Sequence, residues 1–205
     1  MNRAHPQHVT LRLATSIGSL RKRHLYRVIR AALVVVSRHE DFRIVHFSVQ
    51  RTHLHLLCEA RDKHALARGV RAFEISAARR LHREISKRTR KPRSGAVFPD
   101  RYHVASIATV HQVRHTLSYV LNNWRKHREP TAEGLFGGRL DPYSSAIWFE
   151  GWRERTVAEL HVPAGYEPPP RATPTTWLLS QGWRRARPIS VYEVPGSRFT
   201  APSVR

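Results

Sequence analysis

The sequence predicts an α+β fold of the ferredoxin-like class, in which a mostly antiparallel sheet carries packed helices. Short segments with alternating apolar and polar residues indicate strands, and longer segments with apolar residues three or four apart indicate helices. In chain order these segments read strand, helix, strand, strand, helix, strand and helix. Beyond Pro130, glycine, proline and tryptophan replace this periodicity, which predicts an irregular C-terminal extension.

The first strand and the first helix are expected over residues 8–13 and 19–38. Apolar and polar residues alternate along the strand, as they do on a half-buried sheet. Along the helix, apolar residues recur at helical spacing with basic residues between them. Ser19 is expected to be the N-cap of this helix.

Residues 42–50 and 53–59 are predicted to form the second and third strands. Only Arg51 and Thr52 separate them, so we expect the two strands to pair as a hairpin. The side chains assigned to the buried face of the second strand are Val45, Phe47 and Val49. Those assigned to one face of the third strand are Leu54, Leu56 and Cys58.

Two helices and one strand complete the first part of the chain. An amphipathic helix is expected over residues 63–87, and a basic loop follows it. Residues 97–98 and 102–107 suggest the fourth strand. The third helix is predicted from Thr109, its N-cap, to about His127.

We expect residues 1–130 to fold as one domain and residues 131–205 to form a Gly/Pro/Trp-rich extension to it. Within the extension, the prolines of residues 163–174 are typical of a linker or a surface strap. Residues 176–185 predict a short helix that ends near Gly182.

The charge balance points to a polyanionic partner. Lysine and arginine number 36 against 15 aspartate and glutamate residues, which gives a formal net charge of +21. Each phosphate that a protein neutralises releases counterions, so this balance is typical of nucleic-acid-binding proteins. A basic solvated surface or a small ribosome-associated protein would have the same balance, and the charge alone indicates no chemistry.

The composition argues against a membrane protein and against a disulfide-stabilised one. The longest apolar run, residues 31–36, is far shorter than the roughly 20 residues of a spanning helix. Residues 1–12 lack the apolar stretch of a signal peptide. The single cysteine, Cys58, excludes an internal disulfide and a cysteine-rich zinc site. We therefore expect a cytoplasmic protein with no membrane partner.

Two histidines of the third predicted strand are candidate metal ligands. His53 and His55 stand two positions apart, so they project from one face while Leu54 and Leu56 hold the strand to the core. Two imidazoles in this arrangement can chelate one divalent cation. Because the chain has 14 histidines, such a pair also arises by chance, and the alternative is two surface histidines that face phosphate.

The third helix carries a tyrosine outside its apolar stripe. Tyr119 lies well off the stripe, and Asn123 lies on the same face one turn later. Such a tyrosine is often only a surface residue, or packs its ring on a neighbouring strand. Beside the histidine pair it would be a nucleophile, because a cation stabilises the anion of a hydroxyl whose pKa is about 10. The amide oxygen of Asn123 would complete a ligand set suited to Mg²⁺ or Mn²⁺.

Several stretches of the chain resemble a known family, the single-tyrosine HUH transposases. Residues 49–57 resemble their histidine–hydrophobe–histidine strand, and residues 118–123 resemble their nucleophile helix. Residues 8–10 and 98–103 are similar to their first strand and to the approach to their fourth. The most similar branch is that of the REP-associated tyrosine transposases, IS200-like relatives that act on palindromic DNA. The resemblance covers about residues 5–128.

The resemblance implies a catalytic domain that cleaves and rejoins single-stranded, hairpin-bearing DNA. Tyr119 would attack a phosphodiester, become linked to the 5′ phosphate and release a 3′ hydroxyl, with His53, His55 and Asn123 as ligands of Mg²⁺ or Mn²⁺. In this family the nucleophile helix can serve the partner subunit's site, which leaves a homodimer open. The basic residues expected to hold the DNA are Arg12, Arg51, Arg101, Arg125 and Lys126.

The chain departs from the family pattern at two flanking positions. Thr52 stands where members commonly have asparagine, and Trp124 stands where they commonly have proline. These flanks leave a second hypothesis open, a domesticated DNA-binding protein of the same fold that no longer cleaves. A third hypothesis, a ferredoxin-like RNA-binding protein, would need aromatic residues on the central strands to stack bases. The third strand offers histidines and leucines instead.

Overall fold

An antiparallel sheet of four strands lies at the centre of the computed structural model, which describes residues 2–37, 39–127, 139–154 and 166–196. The strands are β1 (Gln7–Arg12), β2 (Phe42–Val49), β3 (His53–Ala60) and β4 (His103–Ser106). They lie in the order β2-β3-β1-β4, and every neighbouring pair is antiparallel. This order, with the helices that connect the strands, confirms the predicted α+β fold of the ferredoxin-like class.

The α-helices of the described residues are α1 (Arg23–Val36), α2 (Lys63–Thr89), α3 (Val110–Lys126) and α4 (Trp177–Ser180). Asp62 caps α2 by accepting bonds from two backbone N–H groups of its first turn. Thr109 caps α3 in a reciprocal capping box with Gln112, as its sequence position predicts. In the described part of the chain, no helix has both the length and the apolar composition that a membrane span requires.

Helices α1 and α2 cover one face of the sheet and form the larger core with it. The side chains that β1 and β3 bury on this face are Val9, Leu11, Leu54, Leu56 and Cys58. Gly69 of α2 lies against the ring of Phe42, where an added Cβ would come within 2.2 Å of ring carbons. Glycine therefore allows a close approach of helix and strand that a side chain would block.

The opposite face of the sheet is covered by α3 and by the described part of the C-terminal extension. Val45 of β2 and Leu57 of β3 pack there against Leu117 and Leu121 of α3. The apolar residues that the extension adds include Phe149, Trp152, Trp183, Ile189 and Val191. The extension thereby completes a second hydrophobic core.

The extension is described in two pieces, residues 139–154 and 166–196, and the rest of the predicted range 131–205 lies outside the described residues. Residues 166–174 of the predicted proline-rich stretch have no regular secondary structure. The predicted short helix near the C-terminus is split into α4 and a 3-10 helix, Gly182–Arg185.

The first helix begins later than predicted. It starts at Arg23, and the side chain of Ser19 does not cap it. Ser19 instead accepts a bond from the backbone N–H of Arg21 in the preceding turn. This turn buries Arg21, whose guanidinium donates to the carboxylate of Asp141 at 2.9 and 3.0 Å. A partner that is distant in the sequence therefore holds residues 19–22 outside the helix.

The prediction that Val45 shares one face of β2 with Phe47 and Val49 is wrong. A β-bulge between Ile44 and His46 shifts the pairing of β2 with β3, so Val45 points toward α3. Phe47 and Val49 lie in the larger core, as predicted.

The fourth strand is shorter than predicted. Residues 97–98 belong to a loop, where the carbonyl oxygen of Val97 accepts a bond from the backbone N–H of Ala14. Regular pairing with β1 is confined to His103–Ser106, which is exposed along its whole length.

Candidate active site

The two candidate histidines of β3 face helix α3. Leu54 and Leu56 alternate with them and are fully buried in the larger core. Because side chains alternate along a strand, this burial turns His53 and His55 to the opposite face, the same-face arrangement expected from the sequence. The centroids of the two imidazole rings lie 4.8 Å apart.

Helix α3 brings Tyr119 against this histidine pair. The tyrosine is half-buried, and its ring centroid lies 5.0 Å from that of His55 and 5.8 Å from that of His8. The ammonium nitrogen of Lys126 lies 5.3 Å from the centre of the tyrosine ring. The residues of the apolar stripe that bury the other side of the helix are Val113, Leu117, Val120, Leu121 and Trp124.

Residues that the sequence analysis did not single out complete the surroundings of the pair. Thr10 of β1 is in register with His55, and its Oγ1 lies 3.2 Å from Nδ1 of His55. Nε2 of His8 lies at the same distance from that Nδ1. The ring of His127 lies 5.6 Å from that of His53. The alternation of apolar and polar residues in the sequence places His8 and Thr10 on the polar face of β1. Their contact with His55 is set by the register of β1 on β3, which the sequence pattern does not predict.

Polar atoms of His55 and Asn123 are buried without a hydrogen-bond partner. Asn123 is fully buried, and neither its amide nitrogen nor its amide oxygen is bonded to the described residues. The same holds for Nε2 of His55, whose Nδ1 is engaged by β1. Such burial costs free energy, so these atoms are suited to an additional ligand.

His53, His55 and Asn123 carry donor atoms of the chemical types that divalent cations bind. Imidazole nitrogens and an amide oxygen are donors that such cations accept, and engagement of Nδ1 leaves Nε2 of His55 available as a ligand atom. No group of three or more His, Cys, Asp or Glu side chains in the described residues is arranged to hold a metal ion. Asn123, whose amide atoms are buried without a partner, adds an oxygen donor on the helix that faces His53 and His55.

Burial keeps the histidines of the site neutral. It is the main cause that lowers the pKa of His53 to about 4 and the pKa of His55 to about 2, and neighbouring positive groups add to it. Burial likewise lowers the pKa of His8 to about 4. Neutral imidazole is the form that binds a metal. Burial raises the pKa of Tyr119, so its ionisation at neutral pH requires a nearby positive charge.

A comparison with models of protein families gives one match, to the family described as IS200-like transposases, over residues 7–123. This chain belongs to that family. The matched range begins in β1 and ends at Asn123, so it includes the histidine strand and the tyrosine.

Two solved structures are similar to this transposase. A REP-associated tyrosine transposase bound to a REP hairpin has 18% identity and a TM-score of 0.47, over 83% of this chain and 87% of that one. A protein of Deinococcus radiodurans R1 described as a candidate transposase has 17% identity and a TM-score of 0.39, over 55% of this chain and 85% of that one. A comparison with curated proteins found no match.

Four of the five basic residues expected to hold DNA are exposed around the site of this transposase. Arg12 lies at the end of β1 opposite His53, and Arg51 lies in the turn before His53. Arg101 precedes β4, and Lys126 stands beside the tyrosine. All four thus border the end of the sheet where the histidines stand.

The fifth basic residue, Arg125, is engaged by the extension. Its Nε donates to the carbonyl oxygen of Val191 at 2.6 Å, and a terminal nitrogen donates to that of Arg139 at 3.1 Å. The guanidinium also lies 4.2 Å from the ring centre of Trp124. Its position ties α3 to the extension.

Proposed function

We propose that this transposase is an endonuclease that cleaves and rejoins single-stranded, hairpin-bearing DNA through a 5′-phosphotyrosine intermediate at Tyr119. The position of Tyr119 carries this proposal, because its ring lies 5.0 Å from that of His55 and the unpartnered amide of Asn123 follows one turn later. Membership of a transposase family and the net charge of +21 support a DNA substrate.

The proposed reaction exchanges one phosphodiester for another. The hydroxyl oxygen of Tyr119 attacks the phosphorus, its proton passes to water, and the bond between phosphorus and the 3′ oxygen breaks. The 3′ oxygen takes up a proton and leaves as a free hydroxyl. A 3′ hydroxyl later attacks the phosphotyrosine, which joins the strands and releases Tyr119 without a nucleotide cofactor.

We assign His53, His55 and Asn123 as the residues that hold Mg²⁺ or Mn²⁺ in this site. When bound, the cation supplies the positive charge that stabilises a tyrosinate and polarises a phosphodiester. His8 and Thr10 orient the ring of His55 by engaging its Nδ1.

The exposed basic residues around the site are assigned to the DNA backbone. Arg12, Arg51 and Arg101 border the end of the sheet that carries the histidines, and Lys126 stands beside Tyr119. Arg125 holds α3 to the extension, so we assign it to the fold of the site rather than to the DNA.

The test is a covalent adduct between protein and DNA. Labelled single-stranded DNA with hairpins is incubated with the wild type, Tyr119→Phe or Tyr192→Phe, in the presence of Mn²⁺ or EDTA. Tyr192 is an exposed tyrosine of the extension and serves as the matched control. We expect the wild type and Tyr192→Phe to form a denaturation-resistant adduct with Mn²⁺ only, and Tyr119→Phe to form none while it still binds the DNA.

Two results would contradict the proposal. An adduct that persists in Tyr119→Phe would place the nucleophile at another residue. Binding without any adduct, across varied hairpins, single-stranded flanks and metals, would favour the second hypothesis of a non-catalytic DNA-binding protein with the same fold.

A further inference from the structure

We propose that Glu193 of the C-terminal extension is a positioning residue for Tyr119, because it holds the tyrosine helix in place against the histidine strand of the same chain. The inference rests on the proposed role of Tyr119 as the nucleophile. The family match ends at Asn123 and says nothing about Glu193.

Glu193 binds two residues of α3 that lie one turn apart, Arg114 and Ser118. Its carboxylate accepts bonds from both terminal nitrogens of the Arg114 guanidinium. It also accepts a bond from the hydroxyl of Ser118 at 2.7 Å. Ser118 directly precedes Tyr119, so this carboxylate is bonded one residue away from the proposed nucleophile.

The three residues joined by the bonds of Glu193 expose little surface at the edge of an open cavity that Tyr119 also lines. Arg114, Ser118 and Glu193 are all buried, and a bidentate arginine–carboxylate pair fixes orientation as well as distance. Burial by itself raises the pKa of Glu193, but the bonds from Arg114 and Ser118 outweigh it and hold the pKa below its ordinary value. Glu193 therefore stays charged at neutral pH and keeps the pair intact.

The bonds between α3 and the extension lie on both sides of Tyr119 in the sequence. Before it, Arg114 donates to the carbonyl oxygens of Arg187 and Pro188 as well as to Glu193. After it, the side chain of Asn122 donates to the carbonyl oxygen of Ser190 at 3.0 Å. The helix can neither rotate nor slide against residues 187–193 without breaking buried bonds.

The residues that follow Glu193 also border the tyrosine. Val194, Pro195 and Gly196 line an open cavity of about 590 Å³ together with Tyr119 and His8. Glu193 itself also lines this cavity, so the residue that bonds α3 lies in the same segment as one wall of the space beside Tyr119. Under the proposed function, the DNA strand to be cleaved enters this space.

Two variants test the proposal in the full-length protein. Glu193→Gln keeps the shape of the side chain and an acceptor for Ser118, but it removes the charge that Arg114 binds. The double variant Arg114→Met with Glu193→Leu removes the bonds of both residues, including those of Arg114 to Arg187 and Pro188, and leaves no unpaired buried charge.

Glu59→Gln is the matched control. Glu59 is also a buried carboxylate that anchors the extension, and it accepts bonds from the backbone N–H and hydroxyl groups of Thr175 and Thr176. It lies near the far end of β3 from His53. Its loss weakens the extension without removing a bond to α3.

Each protein is measured in two ways. Single-turnover adduct formation and hairpin affinity are followed with Mn²⁺, and 3-fluorotyrosine at position 119 is observed by ¹⁹F NMR without DNA. In the double variant we expect adduct formation to slow by about tenfold to a hundredfold with nearly unchanged hairpin affinity, because small misplacement of a nucleophile is costly. We expect the fluorine resonance to shift or broaden in both Glu193 variants and to keep its wild-type position in Glu59→Gln.

A wild-type adduct rate in the double variant would overturn the inference. So would a rate loss with an unchanged fluorine resonance, since that result assigns the effect to stability alone. If the wild type forms no adduct, the proposed function fails, but the fluorine resonance still decides whether Glu193 positions Tyr119.

Discussion

The ring of Tyr119 lies 5.0 Å from the ring of His55, and both residues belong to one chain. Helix α3 reaches this position with Leu117 and Leu121 packed into a core that it shares with the sheet and the extension. Transfer of α3 to a second subunit would expose that core and break the buried bonds of Arg114. We therefore expect Tyr119 to act on the site of its own chain.

Mixing two inactive variants tests this expectation. Tyr119→Phe lacks the proposed nucleophile and His55→Ala lacks a proposed metal ligand, so a mixture regains cleavage only when chains exchange α3. We expect no adduct from the mixture under conditions in which the wild type forms one. Recovery of activity after mixing would instead indicate a homodimer with exchanged helices. A covalently linked wild-type dimer is the positive control.

Asn123→Leu is expected to change stability and metal binding in opposite directions. Without metal, the free energy of unfolding rises by about 1 kcal/mol because an unpartnered buried amide becomes apolar. We expect Mn²⁺ to raise the Tm of the wild type by binding the folded state, and we expect Asn123→Leu to lose this rise. The matched control is Asn122→Leu, which loses the bond to Ser190 but keeps the rise. An equal rise in all three proteins would exclude Asn123 as a ligand.

Arg51 and Arg125 are expected to affect different properties. Arg51→Ala removes an exposed charge beside the histidines, so we expect hairpin affinity to fall. We also expect the slope of the logarithm of the binding constant against the logarithm of the salt concentration to become shallower by about one unit. Arg125→Ala removes bonds to the extension, so the free energy of unfolding falls by about 2 kcal/mol with an unchanged salt dependence. Binding titrations at several salt concentrations and urea unfolding measure the two effects. If Arg125→Ala instead weakens the salt dependence and leaves the free energy of unfolding unchanged, Arg125 contacts the DNA.

His46 is expected to make the fold sensitive to acid. Burial, and to a lesser extent Arg171, lowers its pKa from 6.5 to about 4. Between these values the unfolded chain takes up a proton that the folded chain does not, so stability falls as pH drops from 6.5 to 4. One such group contributes about 3 kcal/mol over this range.

Urea unfolding at pH 7 and pH 4.5 measures this contribution. His46→Gln should lose less stability on acidification than the wild type, because the buried group no longer titrates. The exposed His111→Gln is the control and should follow the wild type. Identical pH dependence of His46→Gln and wild type would show that His46 does not couple folding to protonation.

Local pattern was sufficient to predict which segments form the main strands and helices, and which faces His53, His55 and Tyr119 occupy. Period-two alternation placed His53 and His55 opposite Leu54 and Leu56, because a strand turns successive side chains to opposite faces. Helical spacing likewise predicted that Tyr119 lies off the apolar stripe, and the family match covers that helix. These features depend on the backbone period alone, which neighbouring residues determine.

Contacts between distant segments were decided only by the tertiary structure. His8 and Thr10 meet His55 through the register of β1 on β3, and a bulge turns Val45 to the other face of β2. Glu193 reaches Arg114 because the extension folds back on α3 and completes a core there. Such contacts depend on strand register, on bulges and on the packing of residues that are distant in the sequence. The spacing of apolar residues within one segment therefore cannot predict them.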